Sequence, residues 1–387
     1  KFKGNASSLS ASYQANRTTI TDEKGRSTAY DYNSSQFVEK ITDLSGPSGY
    51  EQYWYEDANN PSKATRMQDR NGYMYYYTYD TKGNVLQMQS PTGTHVFTYT
   101  TMNDPLTYKD PLNKTTYFNY DTPGNLRSKV DPLSHSTQWN RLSNGLVESI
   151  VNPMSHTTSL TYDPYGNVAS IRDPMNNTTT FIYDVGSRQT QSTDARLQTS
   201  FYSYDKNDLI KTITDPSNGI TQYEYDANGN QRTITDAKNQ PTYWDYNDLD
   251  QLISTTNANG NKITYTYNED GSLASRSFPG GPSCSYGYDQ SGRLGSISGS
   301  GYSCTFTYDA NGNLKQASDG SGNISFIYDA GNRMTSSTDF YYNTVTYGYD
   351  AADHITSITY PGGKIVRYTY YDDGRLETVR DWHDKVT

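Results

Sequence analysis

The chain has 387 residues, a formal net charge of −10 and no basic cluster, which argues against nucleic acid as a partner. No apolar run approaches the ~20 residues of a membrane span. Leu, Ile, Val and Phe supply only about 15% of the residues, a level that alone would suggest disorder, but 39 tyrosines held at a fixed phase overturn that reading.

Residues 1–31 read as a degenerate N-terminal edge. Its opening, KFKGNASS, lacks a starting methionine and reads as an internal cut, with any signal peptide outside this fragment. From Tyr32 to Leu376 the chain is one repeat array. Tyr32, Tyr55, Tyr79, Tyr99 and Tyr120 open it with loose spacing, and Trp139 fills the next gap. Anchors then fall every 21 residues at Tyr162, Tyr183, Tyr204, Tyr225, Tyr246, Tyr267 and Tyr288, followed by Tyr308, Tyr328, Tyr349 and Tyr370, which makes 17. Residues 377–387 read as a truncated C-terminal edge.

Each unit is predicted to be a β-hairpin. A second aromatic precedes the anchor by two positions, as in Tyr223 and Trp244, and a small or β-branched residue precedes it by four, as in Thr221 and Thr242. Alternate strand residues share a face, so these positions line one side. The turn follows as Tyr-Asp with glycine three residues after the aspartate: Tyr79, Asp80 and Gly83; Tyr120, Asp121 and Gly124; Tyr162, Asp163 and Gly166. The same trio recurs at Tyr225, Asp226 and Gly229, at Tyr288, Asp289 and Gly292, and at Tyr308, Asp309 and Gly312. The carboxylate is expected to cap backbone N–H groups one to three residues on, and the glycine to take positive φ. An Asp-Pro or Asn-Gly step reverses the chain at the other end. The fold class is therefore all-β: tandem antiparallel hairpins forming one long sheet. About 34 strands at ~4.8 Å give ~160 Å, too long to stay flat, so the sheet should coil, as a spiral or shell-like surface.

Cys284 and Cys304 occupy equivalent positions on adjacent repeats, four residues before Tyr288 and Tyr308. They read as small core residues. Equivalent positions two strands apart lie about 9.5–10 Å from each other, beyond the reach of a disulfide.

The array resembles the YD repeats of the rearrangement-hotspot (Rhs) family in its YDTKGNV, YDTPGNL, YDPYGNV, YDANGNQ and YDANGNL segments and its Asp-Pro steps. Similar arrays occur in teneurins, in the C components of bacterial Tc toxins and in wall-associated proteins. The resemblance implies a hollow shell that, in the toxins, encloses a toxic C-terminal domain. It also implies a secreted or cell-surface setting in a bacterium. Neither a shell-closing segment nor a toxin is recognisable at this chain's end.

Catalytic motifs are absent, and no catalytic, cofactor-binding or metal-binding residues are expected. His95, His135, His156, His354 and His383 share no spacing that would bring them together, and Glu269-Asp270 and Asp372-Asp373 fall at turns. The expected role is a non-enzymatic scaffold. The alternatives are a carbohydrate-binding or adhesion module, with Trp54, Trp139, Trp244 and Trp382 as sugar-stacking candidates, or a head-to-tail filament. The expected partners are neighbouring domains of the parent protein or copies of the chain itself, meeting at open sheet edges. An enclosed C-terminal toxin and surface glycans complete that set.

Overall fold

The computed structural model describes residues 9–22, 25–46 and 49–387. Residues 1–8 and 23–24 of the expected N-terminal edge lie outside this set. The described residues form 36 strands assigned to one sheet and no helix, two strands more than the hairpin count predicts. Described partners are antiparallel neighbours in the chain, as in the ladder from Gln222↔Thr235 to Tyr225↔Gln231. The chain is all-β, built of tandem hairpins.

One repeat shows why. In Ile220–Tyr225 exposure alternates strictly, placing Thr221, Tyr223 and Tyr225 on the more enclosed face. The partner strand Gln231–Thr235 sets Ile234 directly against Tyr223, a favourable β-branched–aromatic pair. The register slips between Glu224 and Tyr225, so the anchor sits on a β-bulge. The same slip recurs at Tyr32, Tyr79, Tyr162, Tyr267 and Tyr370. The intervening ladder, Thr212↔Gln222 to Thr214↔Ile220, runs without one. A bulge bends its strand and increases local twist. Placing it in alternate ladders biases the ribbon to curl, so the sheet coils rather than lying flat.

Little of the chain is deeply buried. Among the described residues only Ala29, Cys284 and Val366 count as buried apolar residues, and no large side chain is fully enclosed. The anchor tyrosines are half-buried, a position that suits a side chain with an apolar body and a polar tip.

The chain divides into two compact units. The first comprises Asn119–Lys129 and His135–Ser283. The second comprises the described residues of Ala6–Phe118 together with Val130–Ser134 and Cys284–Thr387.

Three expectations need adjustment. Trp139 is not an anchor: the bulge falls between Asn140 and Arg141, so Arg141 holds that position and Trp139 is the aromatic two residues before it. The Arg141 guanidinium donates to the carbonyl of Leu126, 15 residues back, where an anchor tyrosine elsewhere places its hydroxyl. Charge and length there substitute for a phenol. Second, the last residues do not leave the final strand bare, because Val379 and Thr387 exchange both backbone hydrogen bonds. Third, His95 and His354 line one cavity of about 390 Å³ in the second unit. Both cysteines are free thiols. Cys284 pairs with Gly299 and Cys304 with Ile297, which puts one strand between them as the hairpin arithmetic requires.

Candidate functional site: turns, tyrosine clasps and a seam

Two devices recur in every part of the array. The first is the turn. Asp226 Oδ1 accepts from the N–H groups of Asn228 and Asn230, both at 2.9 Å, and its carbonyl accepts from Gly229 N. The carboxylate thus reaches the second and fourth residues on, one further than the capping argument allows. Asp80, Asp163 and Asp289 make the same pair of bonds, and Asp121 and Asp309 hold the amide of the fourth residue. The glycines of these six turns, Gly83, Gly124, Gly166, Gly229, Gly292 and Gly312, have φ between 78° and 93°. Side chains rarely tolerate that region.

The opposite turn, which reads in sequence as a different motif, has the same geometry. Asp173 Oδ1 accepts from Met175 N and Asn177 N, while Asn176 takes φ 67° without being glycine. Leu197 occupies the same position at φ 62°. The 21-residue repeat is therefore two half-repeats, with turn residues alternately 10 and 11 apart at Asp163, Asp173, Asp184 and Asp194.

The second device is a clasp between repeats, which hydrophobic phase alone did not reveal. At Tyr55, Tyr99, Tyr162, Tyr204, Tyr225, Tyr267, Tyr308, Tyr349 and Tyr370 the anchor hydroxyl donates to the first carbonyl of the preceding repeat's second strand. Tyr225 reaches Ile210 at 2.9 Å, Tyr267 Leu252 at 2.8 Å, Tyr349 Met334 at 2.8 Å and Tyr370 Ile355 at 2.8 Å. Burial raises the pKa of all four phenols above the usual tyrosine value.

Within the second unit a third device appears. Turns that are 238 to 248 residues apart in sequence face one another. Asn71 Nδ2 donates to Asp309 Oδ2 at 3.0 Å, and Asn311 Nδ2 donates to Asp69 Oδ2 at 2.9 Å. This exchange is reciprocal: D-x-N-G at 69–72 meets D-x-N-G at 309–312. Asn71 N adds a bond to Asn311 Oδ1 at 3.1 Å. Along the same line Ser291 Oγ donates to Asp43 Oδ2 at 2.6 Å, and Lys114 Nζ pairs with Asp372 at 2.6 Å. At Asp309 burial pushes the pKa up, but the hydrogen bonds from Asn313 and Asn71 outweigh it and leave the carboxyl below its ordinary range. Small residues keep this seam tight: a Cβ on Gly331 would overlap Thr92 Cγ2, and one on Gly49 would lie 3.0 Å from Ala310 Cβ.

The sugar-stacking candidates divide by unit. In the first, Trp139 lies opposite Ile150 and Trp244 opposite Thr255, inside the cross-strand ladder. In the second, Arg66 covers Trp54 at 4.8 Å, whereas Trp382 is 46% exposed beside Tyr360 and Lys364. In the cavity, His95 Nδ1 is 2.9 Å from the Tyr108 hydroxyl, and His354 Nδ1 is 2.9 Å from Asp350. These contacts hold the two rings in place.

Comparison with known proteins now decides the family. The teneurin YD-shell family model matches residues 135–303 and 298–381, well over half of the chain. The chain belongs to the teneurin YD-shell family. Comparison of its sequence with curated proteins finds no match. Among solved structures it is similar to TcdB2-TccC3-TEV, with a TM-score of 0.73 and 15% identity, over 96% of this chain and 25% of that one. A TcdB2-TccC3 structure without its hypervariable C-terminal region gives 0.71 at 15% identity and the same coverage. A Photorhabdus luminescens Tc holotoxin pore gives 0.51 at 13% identity, over 98% of this chain and 28% of that one. The chain thus spans about a quarter of the length of the chains it matches, and it shares their fold. Its YD-shell array is a structural scaffold.

Proposed function

We propose that this array is a length of shell wall that encloses or displays a C-terminal domain, a toxin in a bacterial setting, outside the cell or at its surface. On this reading it does no chemistry itself. The observation that carries the proposal is the seam. A ribbon used only as a stalk needs bonds between neighbouring hairpins and nothing more. A ribbon that must retain a cargo also needs its successive coils tied edge to edge, and the exchanges between Asp69, Asn71, Asp309 and Asn311 supply such ties. The hypervariable C-terminal region named for one similar structure is consistent with this role.

Limited proteolysis of the full-length native protein tests the reading. Any chain that follows residue 387 should resist digestion while the array is folded and be cut at once after unfolding in urea. Equal cleavage in both states would overturn it. The sugar-binding reading draws on Trp382, the exposed indole. Binding on a glycan array that is lost in Trp382→Ala would favour it.

A further inference from the structure

Hairpin repeats give the ribbon two rims. Anchor turns, which follow the anchor tyrosines, lie along one, and joining turns, which link each repeat to the next, lie along the other. The seam of the second unit sets one kind of rim on the other. Joining turns at 43–46, 69–72, 90–93 and 110–114 meet anchor turns at 289–292, 309–312, 329–333 and 371–375. The contacts are Asp43–Ser291, Asn71–Asp309, Thr92–Gly331 and Lys114–Asp372. Chain order is the same on both sides, so this is a parallel contact between unlike rims.

In the first unit both rims of one stretch are apolar. Met154, Met175 and Leu197 project from consecutive joining turns and are 72% to 85% exposed. Leu142, Tyr165 and Val185 stand on consecutive anchor turns of the same stretch, the last two at least 82% exposed. Among the described turns of this unit after Leu197, only Leu249 is another large exposed apolar residue. Single exposed apolar residues are ordinary on a protein surface, whereas contiguous ones mark contact surfaces. Equivalent turns lie two strands apart, about 9.5–10 Å, so both rows advance by the same step and one can lie along the other. Met is unbranched and polarizable, which suits a contact that must adapt to an aromatic neighbour such as Tyr165.

We infer that the joining rim at 152–198 is a docking surface for the anchor rim at 142–188 of a second copy of this chain, in the parallel order that the seam uses. Charge favours the same pairing. Beyond the turn-capping residues, Arg196 and Lys238 are the exposed charges on the joining turns of this unit, while Asp248, Asp250 and Glu269 outnumber Lys206 on its anchor turns. Asp208 on that rim is matched by Arg188. Complementary potentials of this kind steer encounter and fix orientation. Each copy offers one rim to the copy below and the other rim to the copy above. The contact is therefore heterologous and leaves a free rim at each end, so copies stack instead of closing as a pair. Strand edges at the ends of the sheet take no part in it. Six side chains make a small interface of the weak, reversible class.

Sedimentation equilibrium over a concentration series, on the native chain and two double variants, tests the inference. The joining-rim variant is Met154→Ser with Met175→Ser, and the anchor-rim variant is Tyr165→Asn with Val185→Ala. Ser217, Asn228 and Ala227 already hold the same places in other turns, so the turns should keep their geometry and both melting curves should match the native one. The native chain should associate reversibly past the dimer. Each variant alone should associate at least about a hundred-fold more weakly, because every contact needs both rims. An equimolar mixture of the two should form dimers at native affinity and nothing larger, since one intact joining rim then meets one intact anchor rim. A native chain that stays monomeric overturns the inference. So does assembly that survives both variants, which would run through the sheet edges, or a mixture that stays monomeric or grows beyond dimers.

Discussion

The two units are built from one repeat and differ in what their turns touch. In the first, turn side chains bond neighbouring turns: Asn228 reaches Asp250, 22 residues on, and Arg188 reaches Asp208, 20 on. In the second, turns of the same sequence type also bond residues 238 to 248 positions away. Repeat arrays are stabilised mainly by each unit and its nearest neighbours. The first unit follows that rule, whereas the second adds contacts of high sequence separation to it. The same local code therefore serves as a turn in one place and as a seam in the other.

What the units share should produce the largest effect. Burial holds the anchor phenols above their ordinary pKa in both, at Tyr204, Tyr225 and Tyr267 and at Tyr79, Tyr349 and Tyr370. A pKa raised on folding gives stability that is complete below the unfolded value, about 10, and is lost as pH rises through the folded values. Melting followed by circular dichroism should be unchanged from neutral pH to about 9 and should fall steeply above 10, with both units affected. A melt indifferent to pH 11 would mean that the clasps do not matter.

A matched pair of glycines separates the units. Gly186 in DVGSR and Gly331 in DAGNR hold the same place in turns closed by the same ion pair, Asp184–Arg188 and Asp329–Arg333. A Cβ at Gly186 meets only its own turn, Asp184 Oδ1 at 3.3 Å and Arg188 Nε at 3.6 Å, whereas one at Gly331 would overlap Thr92 across the seam. Gly331→Val should cost about 2–3 kcal/mol by overpacking, and Gly186→Val about 0.5 kcal/mol. Equal losses in urea unfolding would erase the distinction. A smaller contrast is expected from the asparagines. Asn311→Ala removes bonds to both Asp69 and Asn332 and should cost about 2 kcal/mol, whereas Asn228→Ala in the dilute monomer should cost about 1 kcal/mol or less. The smallest effect is a gain. Arg141 stands at an anchor with its Nε buried and unpaired, so Arg141→Tyr should raise stability by about 0.5–1 kcal/mol, and Tyr225→Phe should lose a similar amount.

The fold was legible because its determinants are local and repeated. Aromatics two apart, as at Tyr223 and Tyr225, fix the enclosed face, and a slip of one residue would turn all of them outward. Where the repeat is degenerate the phase slipped: Trp139, the only large aromatic near the expected position, drew the anchor two residues from Arg141. The identity of the two turns was hidden because residues other than glycine fill the left-handed position at Asn176 and Leu197, and composition gives no sign of that. The seam was not legible at all. The D-x-N-G motif at Asn71 is the same as that at Asn228, and nothing in it marks one for a distant partner. Both lie in D-x-N-G, yet Asn71 meets a turn 238 residues away and Asn228 bonds only nearby residues.

Hydrogen exchange on the dilute native chain tests the central claim, that the same turn is tied across the sheet in one unit and only to its neighbours in the other. The Asn71 amide donates both to Asp69 Oδ1 within its turn and to Asn311 Oδ1 across the seam, whereas the Asn228 amide donates to Asp226 alone. We predict that the 69–73 peptide exchanges at least about ten-fold more slowly than 226–230, and that Asn311→Ala removes the difference. Equal rates in the native chain, or a difference that survives Asn311→Ala, would contradict the account.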